Sequence, residues 1–184
     1  MDTDGLVDFI VEAGRLKRLP RTGWVESGVL NPESVADHSY RVALIALILA
    51  DAQKLDTLKA VRMALFHDLA EGEIGDLTPN QKGLDEAGFR QREDEAMDKL
   101  FSKLPSDIRA MYSSAWREFC EGNTSEAKLV KDCDKLEMIM QASEYQEAGN
   151  DRTKLMRFRH AAISGDEIKA LRDASISRGI RRPH

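Results

Sequence analysis

Apolar residues recur along this chain at the three- and four-residue spacing of helices, and no stretch alternates as a strand would. Leu6, Phe9, Ile10, Ala13 and Leu16 predict a first helix from about Asp4 to Lys17, interrupted by Pro20 and Gly23. A connection follows from Leu19 to about Asn31. Asn31-Pro32 reads as the cap and first position of a second helix reaching about Gln53, with Val35, Val42, Ile45, Ala46 and Leu49 inward. Asp56 caps a third, through Leu58, Val61, Ala64, Leu65 and Leu69, that ends at Gly72 or soon after. Beyond a turn-rich loop, Ile74 to Pro79, a charged surface helix with an irregular start is expected from Asn80 to about Lys103, anchored by Phe89, Met97, Leu100 and Phe101. A lid over residues 81–99 is an alternative use of that charged stretch. Pro105 starts a helix that ends near Gly122, and Thr124-Ser125-Glu126 opens a long one to about Ala148. A shorter helical stretch around Leu155 to Ile163 and a basic final helix complete an all-α, single-domain reading of residues 1–184.

Composition narrows the function. The 184 residues are 42% apolar and 32% charged, enough for a sizeable core without disulfides. A formal net charge of −5 argues against a general nucleic-acid binder and leaves room for a small anionic ligand in a local basic pocket. Cys120 and Cys133 read as free thiols packed in a reducing compartment. No secretory signal pattern opens the chain, and the longest apolar run, Val42 to Ala50, is too short to span a bilayer, so a cytoplasmic protein is expected.

The candidate chemistry centres on Phe66-His67-Asp68-Leu69-Ala70-Glu71-Gly72. Adjacent His and Asp side chains diverge by about 100° on a helix, so one ion beside it can meet both, and Glu71 one turn beyond His67 can reach the same ion's water. An isolated His-Asp pair is more readily explained as ordinary packing, so the case depends on partners. His38 supplies one, because its register with Val35 and Val42 turns it toward the core. Asp134 supplies another, close to the inward stripe of the long helix, where an unpaired carboxylate is costly to bury. Two imidazoles and two carboxylates without thiolate suit one Mn, Mg, Co, Fe or Zn ion with room for water and a substrate oxygen. Arg15, Lys17 and Arg18 fit a solvated helix end, whereas Arg21 lies past it, beside Gly23 and Trp24, in a connection long enough to be functional. His160 and His184 read as surface residues without chemistry.

These motifs resemble the HD-domain superfamily of metal-dependent phosphohydrolases: a first His, a His-Asp pair on a later helix and a distant Asp. Lys17-Arg18-Leu19-Pro20-Arg21-Thr22-Gly23-Trp24, Glu33-Ser34-Val35-Ala36-Asp37-His38-Ser39, His67-Asp68-Leu69-Ala70-Glu71 with Gly75-Asp76, and Asp132-Cys133-Asp134-Lys135-Leu136 look like its 5′-deoxynucleotidase branch, over roughly residues 16–142; the helical extension from about residue 151 adds little. The resemblance implies an all-helical domain, commonly a homodimer, that releases phosphate from deoxynucleoside 5′-monophosphates. By it, His38, His67, Asp68 and Asp134 match the metal ligands, Glu71 and Asp76 the catalytic acids, and Arg21 the phosphate-binding arginine. For Asp76 both sugar binding and protonation of the leaving alkoxide stay open. Trp24 is a candidate for stacking on base or sugar, since Thr22 stands where some relatives carry an aromatic residue; a packing role is the alternative. HD-type cleavage of phosphodiesters or nucleoside triphosphates, and a non-catalytic nucleotide-binding module, are the rival readings. The small number of histidines, four, favours a single ion.

Overall fold

The computed structural model describes residues 3–178, so the expectation for His184 lies outside the described residues. α1 (Thr3–Ala13) runs into a 3₁₀ turn, Gly14–Arg18, and a short α2 (Thr22–Glu26) occupies the connection that follows. Then come α3 (Val35–Gln53) and α4 (Thr57–Phe66), the one-turn segments α5 (Glu71–Ile74) and α6 (Pro79–Lys82), α7 (Glu86–Phe101), α8 (Ser106–Glu121) and α9 (Ser125–Glu147). One-turn α10 (Arg152–Leu155) and α11 (Asp166–Arg178) end the described chain. Among the described residues no strand forms; Pro20 and Ser34 make a single antiparallel bridge.

α3, α4 and α9 pack on one another and carry the largest apolar cluster. Ala46 and Ala50 on α3 and Ala60 and Ala64 on α4 are fully buried, and such small side chains let helix axes approach closely. Leu129, Val130, Cys133, Leu136 and Ile139 of α9 close that cluster. Phe66, Leu69, Met97, Phe101 and Trp116 build a second around α7 and α8, so most of the charged stretch is anchored as a core-lining helix. A third joins Trp24 to Tyr145 and Leu155. The buried Asp132 carboxylate accepts the backbone N–H groups of Ser164 and Gly165, fastening the approach to α11 onto α9.

The first helix gives way to 3₁₀ after Ala13, and the stretch expected around Leu155 to Ile163 is one-turn α10 followed by a 3₁₀ segment, Met156–His160. Two further boundaries that depart from expectation bear on the site. α3 begins at Val35, capped by Ser34 in a reciprocal box with Asp37, not at Asn31-Pro32. The reason is tertiary: Arg21 N–H donates to Glu33 O and Val35 N–H to Leu19 O, which hold residues 31–34 extended against the loop before α2. Regular α4 ends at Phe66, not at Gly72. Through residues 67–70 the backbone tightens to three-residue hydrogen bonds, Leu69 N–H to Phe66 O and Glu71 N–H to Asp68 O, before α5. Asp56 caps α4 and Thr124 caps α9 as expected.

Candidate functional site

His38 projects inward from α3 and is fully buried, while His67 stands on the tightened turn after α4 and is 6% exposed. Each ring is oriented through Nδ1. His67 Nδ1 lies 2.7 Å from Ala64 O, and since a carbonyl only accepts, that nitrogen carries the proton. His38 Nδ1 lies 2.5 Å from Glu137 Oε2. Both Nε2 atoms therefore turn to one point, 3.2 Å apart. Asp134 Oδ1 from α9 comes within 3.2 Å of His38 Nε2, and Asp68 Oδ2 within 3.2 Å of His67 Nε2 and 3.6 Å of His38 Nε2.

His38, His67 and Asp134 offer ligand atoms that all lie within 4.8 Å of one another, a cluster able to hold a metal ion. Asp68 sits at its edge, its Oδ2 also taking a 2.9 Å bond from Arg21 Nη1. The donor set fits a divalent cation on physical grounds. Two imidazole lone pairs and two carboxylate oxygens cannot share so small a volume without positive charge between them. Without an ion, a proton on His38 supplies that charge: burial and Arg21 oppose charging of the ring, but the Asp134 and Glu137 hydrogen bonds outweigh them and raise its pKa to about 10. Burial likewise disfavours the Asp134 anion, yet its bond to His38 keeps the carboxyl below its usual range.

Glu71, at the start of α5, is 2% exposed, and its Oε2 has no partner among the described residues. Burial first, then the charges of Asp68 and Asp76, push its pKa up to about 10, against the opposing pull of Arg21 and Lys82. Lys82 Nζ stands 3.6 Å from Glu71 Oε1. Arg21 lies between Asp68 and Asp76; burial disfavours its charge, but the surrounding carboxylates overcome that and raise its pKa. Asp76 braces the same segment. Its Oδ2 accepts the Thr22 N–H at 2.5 Å, and its carbonyl accepts the Thr22 hydroxyl at 2.7 Å.

Seven of the eight expected site residues thus gather around one point. Trp24 does not: it is 2% exposed, its ring packs against Tyr145 and Phe158, and its indole N–H donates to Glu33 Oε1 at 2.8 Å. That is the packing role, and the expected stacking on substrate is corrected accordingly. Arg21 is the non-helical cap of α2 and Trp24 lies within that helix, so the two neighbours in sequence have different surroundings. Glu137, Arg41 and Lys82 were not singled out from the sequence. Glu137 had a readable signal, because it follows Val130 and Cys133 on the inward stripe of α9 where a carboxylate needs a reason.

Comparison with known proteins agrees with this geometry. Residues 13–173 match the HD domain. The chain is 39% identical over 189 aligned positions to the human protein named 5′-deoxynucleotidase HDDC2, covering 97% of this chain and 92% of that one. It is 37% identical to the 5′-deoxynucleotidase YGK1 of Saccharomyces cerevisiae, over 84% of this chain and 74% of that one. A crystal structure of a Pyrococcus horikoshii protein superposes with a TM-score of 0.76 at 35% identity, covering 94% of this chain and 98% of that one. A Magnetospirillum magnetotacticum protein described as a predicted metal-dependent phosphohydrolase gives 0.71 at 26% identity, over 96% and 91% of the two chains. With buried His38 and the His67-Asp68 pair meeting a distant Asp134, this chain belongs to the HD-domain family.

Proposed function

We propose that this chain is a metal-dependent 5′-deoxynucleotidase, converting a deoxynucleoside 5′-monophosphate and water to the deoxynucleoside and phosphate. The observation that carries the reading is the convergence of both Nε2 atoms with Asp134 and Asp68 beside a partly buried arginine and a buried carboxyl, Glu71, whose Oε2 is unpartnered among the described residues. Relatives covering nearly the whole chain and bearing that activity's name support it.

His38, His67, Asp68 and Asp134 would hold one divalent ion, of the Mn, Co, Mg, Fe or Zn class. When bound, such an ion supplies Lewis-acid polarisation of a phosphoryl oxygen and hydroxide near neutral pH. Arg21 keeps one nitrogen on Asp68 and has Nε and Nη2 without protein acceptors among the described residues, so a fork remains for the non-reacting phosphate oxygens. Glu71 takes the proton of the attacking water at Oε2. Its raised pKa makes the base form conditional on a cation at the histidine cluster, which offsets the Asp68 charge that disfavours it. Asp76, fixed to Thr22, keeps Arg21 in place, and sugar binding or protonation of the leaving oxygen is its role in this reading. Phosphate-monoester hydrolysis is among the slowest uncatalysed reactions, so charge neutralisation, orientation and proton transfer have to act together.

A homodimer belongs to the same reading. α3 is apolar on its outer side as well, leaving Tyr40 70%, Leu44 42%, Leu47 40% and Ile48 58% exposed, a pattern expected of a helix covered on both faces. No described helix is long and apolar enough to cross a membrane, and a cytoplasmic site of action is consistent with two free cysteines.

The test is phosphate release from deoxynucleoside and ribonucleoside monophosphates after metal removal and re-addition of Mn, Co, Mg or Zn, with Asp68→Ala alongside. Metal-dependent release that disappears in the variant is expected. Release from no monophosphate, or equal release by the metal-free protein, would overturn the proposal.

A further inference from the structure

Behind His38, on the side away from His67, lies a second layer of charge that the reaction does not touch. Glu137 is fully buried on α9, and its two oxygens have separate duties. Oε2 meets His38 Nδ1, whereas Oε1 accepts Arg41 Nε at 2.9 Å and Arg41 Nη2 at 2.7 Å. Arg41, one turn after His38 on α3, donates two further bonds, to Gln141 and Glu144, both at 2.6 Å. A buried ion pair of this kind contributes little net stability against an apolar replacement, so its place against a ring nitrogen calls for another explanation.

We propose that Glu137 and Arg41 are positioning residues that set the tautomer of His38. An anionic carboxylate only accepts, so it requires the proton at Nδ1 and leaves the Nε2 lone pair for the metal cluster. Arg41 keeps Glu137 anionic, and therefore unable to donate toward the ring. His67 reaches the same tautomer by a different device, the Ala64 carbonyl. Two rings held by unrelated partners thus aim their Nε2 atoms at one point, 3.2 Å apart.

Glutamine at position 137 separates this role from packing. It has the same shape, but the donors of Arg41 claim its amide oxygen. The NH₂ group then faces His38 Nδ1, which must become an acceptor, and the ring proton moves to Nε2, where it blocks the metal. Removing those donors frees the amide to turn round and restore the original tautomer.

The inference rests on the metal site proposed above, and cobalt(II) binding tests the two apart. Cobalt alone is titrated into metal-free protein, followed by its visible absorption and by chelator competition, for wild type, Glu137→Gln and the double variant Arg41→Met/Glu137→Gln. Wild type should bind, Glu137→Gln about ten- to hundredfold more weakly, and the double variant should regain affinity over Glu137→Gln. Failure of wild type to bind overturns the metal site itself. Binding by wild type with unchanged affinity in Glu137→Gln, or no recovery in the double variant, overturns the tautomer role alone. Should the variants not fold, the wild-type zinc form still decides: the ¹⁵N-edited histidine spectrum should show His38 protonated at Nδ1, and a proton-free Nδ1 refutes the inference.

Discussion

Replacing Arg21 with lysine tests the phosphate pocket while keeping its charge. The guanidinium is 15% exposed and pinned at Nη1 by Asp68 at 2.9 Å, with Asp76 Oδ1 at 3.8 Å. Its backbone is equally constrained, by Arg21 N–H to Glu33 O and by the paired Asp76–Thr22 bonds on the next residue. The arginine is therefore preorganised, serving Asp68 with one nitrogen while two others stay free for phosphate. An ammonium is a point charge that cannot hold Asp68 and fork a phosphate together. Loss of two charge-assisted hydrogen bonds, at roughly 1.5–2 kcal/mol each, removes about 3–4 kcal/mol of transition-state stabilisation. At about 1.4 kcal/mol per tenfold, kcat/KM for a deoxynucleoside 5′-monophosphate should fall about 10²- to 10³-fold in Arg21→Lys. Cobalt affinity, measured on the same preparation, should hold, since Arg21 donates to Asp68 without belonging to the ligand cluster. A loss of kcat/KM below fivefold, or a parallel collapse of metal affinity, would refute the assignment.

Trp24→Phe should lower unfolding free energy by about 2 kcal/mol in urea, from lost buried area and the severed bond to Glu33, without altering the preference for deoxyribose over ribose; a raised KM at unchanged stability would restore the stacking role. The metal-free protein should melt at progressively lower temperature as pH rises from about 5 to about 10. Glu71 and His38 both hold protons in the folded state up to about 10, above their ordinary 4.5 and 6.5, so the folded form binds more protons and stability falls with pH. Adding manganese should flatten that decline, and a metal-free profile already flat over this range contradicts the site electrostatics. Leu44→Glu should halve the mass seen in sedimentation velocity while leaving helicity unchanged; the wild-type mass retained would remove the outer face of α3 as the dimer contact.

Much of this architecture was legible because local and tertiary signals coincide. Asp56, Thr124 and the Pro105–Gly122 pair mark helix ends that packing leaves where the chain puts them. At Asn31-Pro32 two start signals compete, and the one nearer the Pro20–Ser34 bridge prevails because residues 31–34 are needed as extended partners for the loop before α2. His38, His67, Asp68 and Asp134 could be picked out because each breaks an apolar stripe or interrupts a helix with an ionisable group. Glu137 breaks the α9 stripe in the same way, but that helix carries so many charges that a buried one does not stand out by type. Arg41 is harder still: on α3 it is an ordinary cation, and only the crossing of α3 with α9 gives it three acceptors.

The departure at Phe66 bears on why the His-Asp pair works as it does. On an uninterrupted α-helix the two side chains diverge by about 100°, so an ion meeting both lies against the helix wall with its other ligands limited to one side. Tightening the backbone over residues 67–70 ends α4 there, hands the His67 proton to Ala64 O and turns Asp68 toward Arg21 as well as toward the imidazoles. It also starts α5 at Glu71, which delivers a buried carboxyl beside the same cluster instead of a full turn along a straight rod. Three functional groups in five residues are thereby aimed at one volume. The three groups that would also share one side of a regular helix are thus held here by a turn with its own hydrogen bonds, so the site is fixed by that turn as well as by helix register.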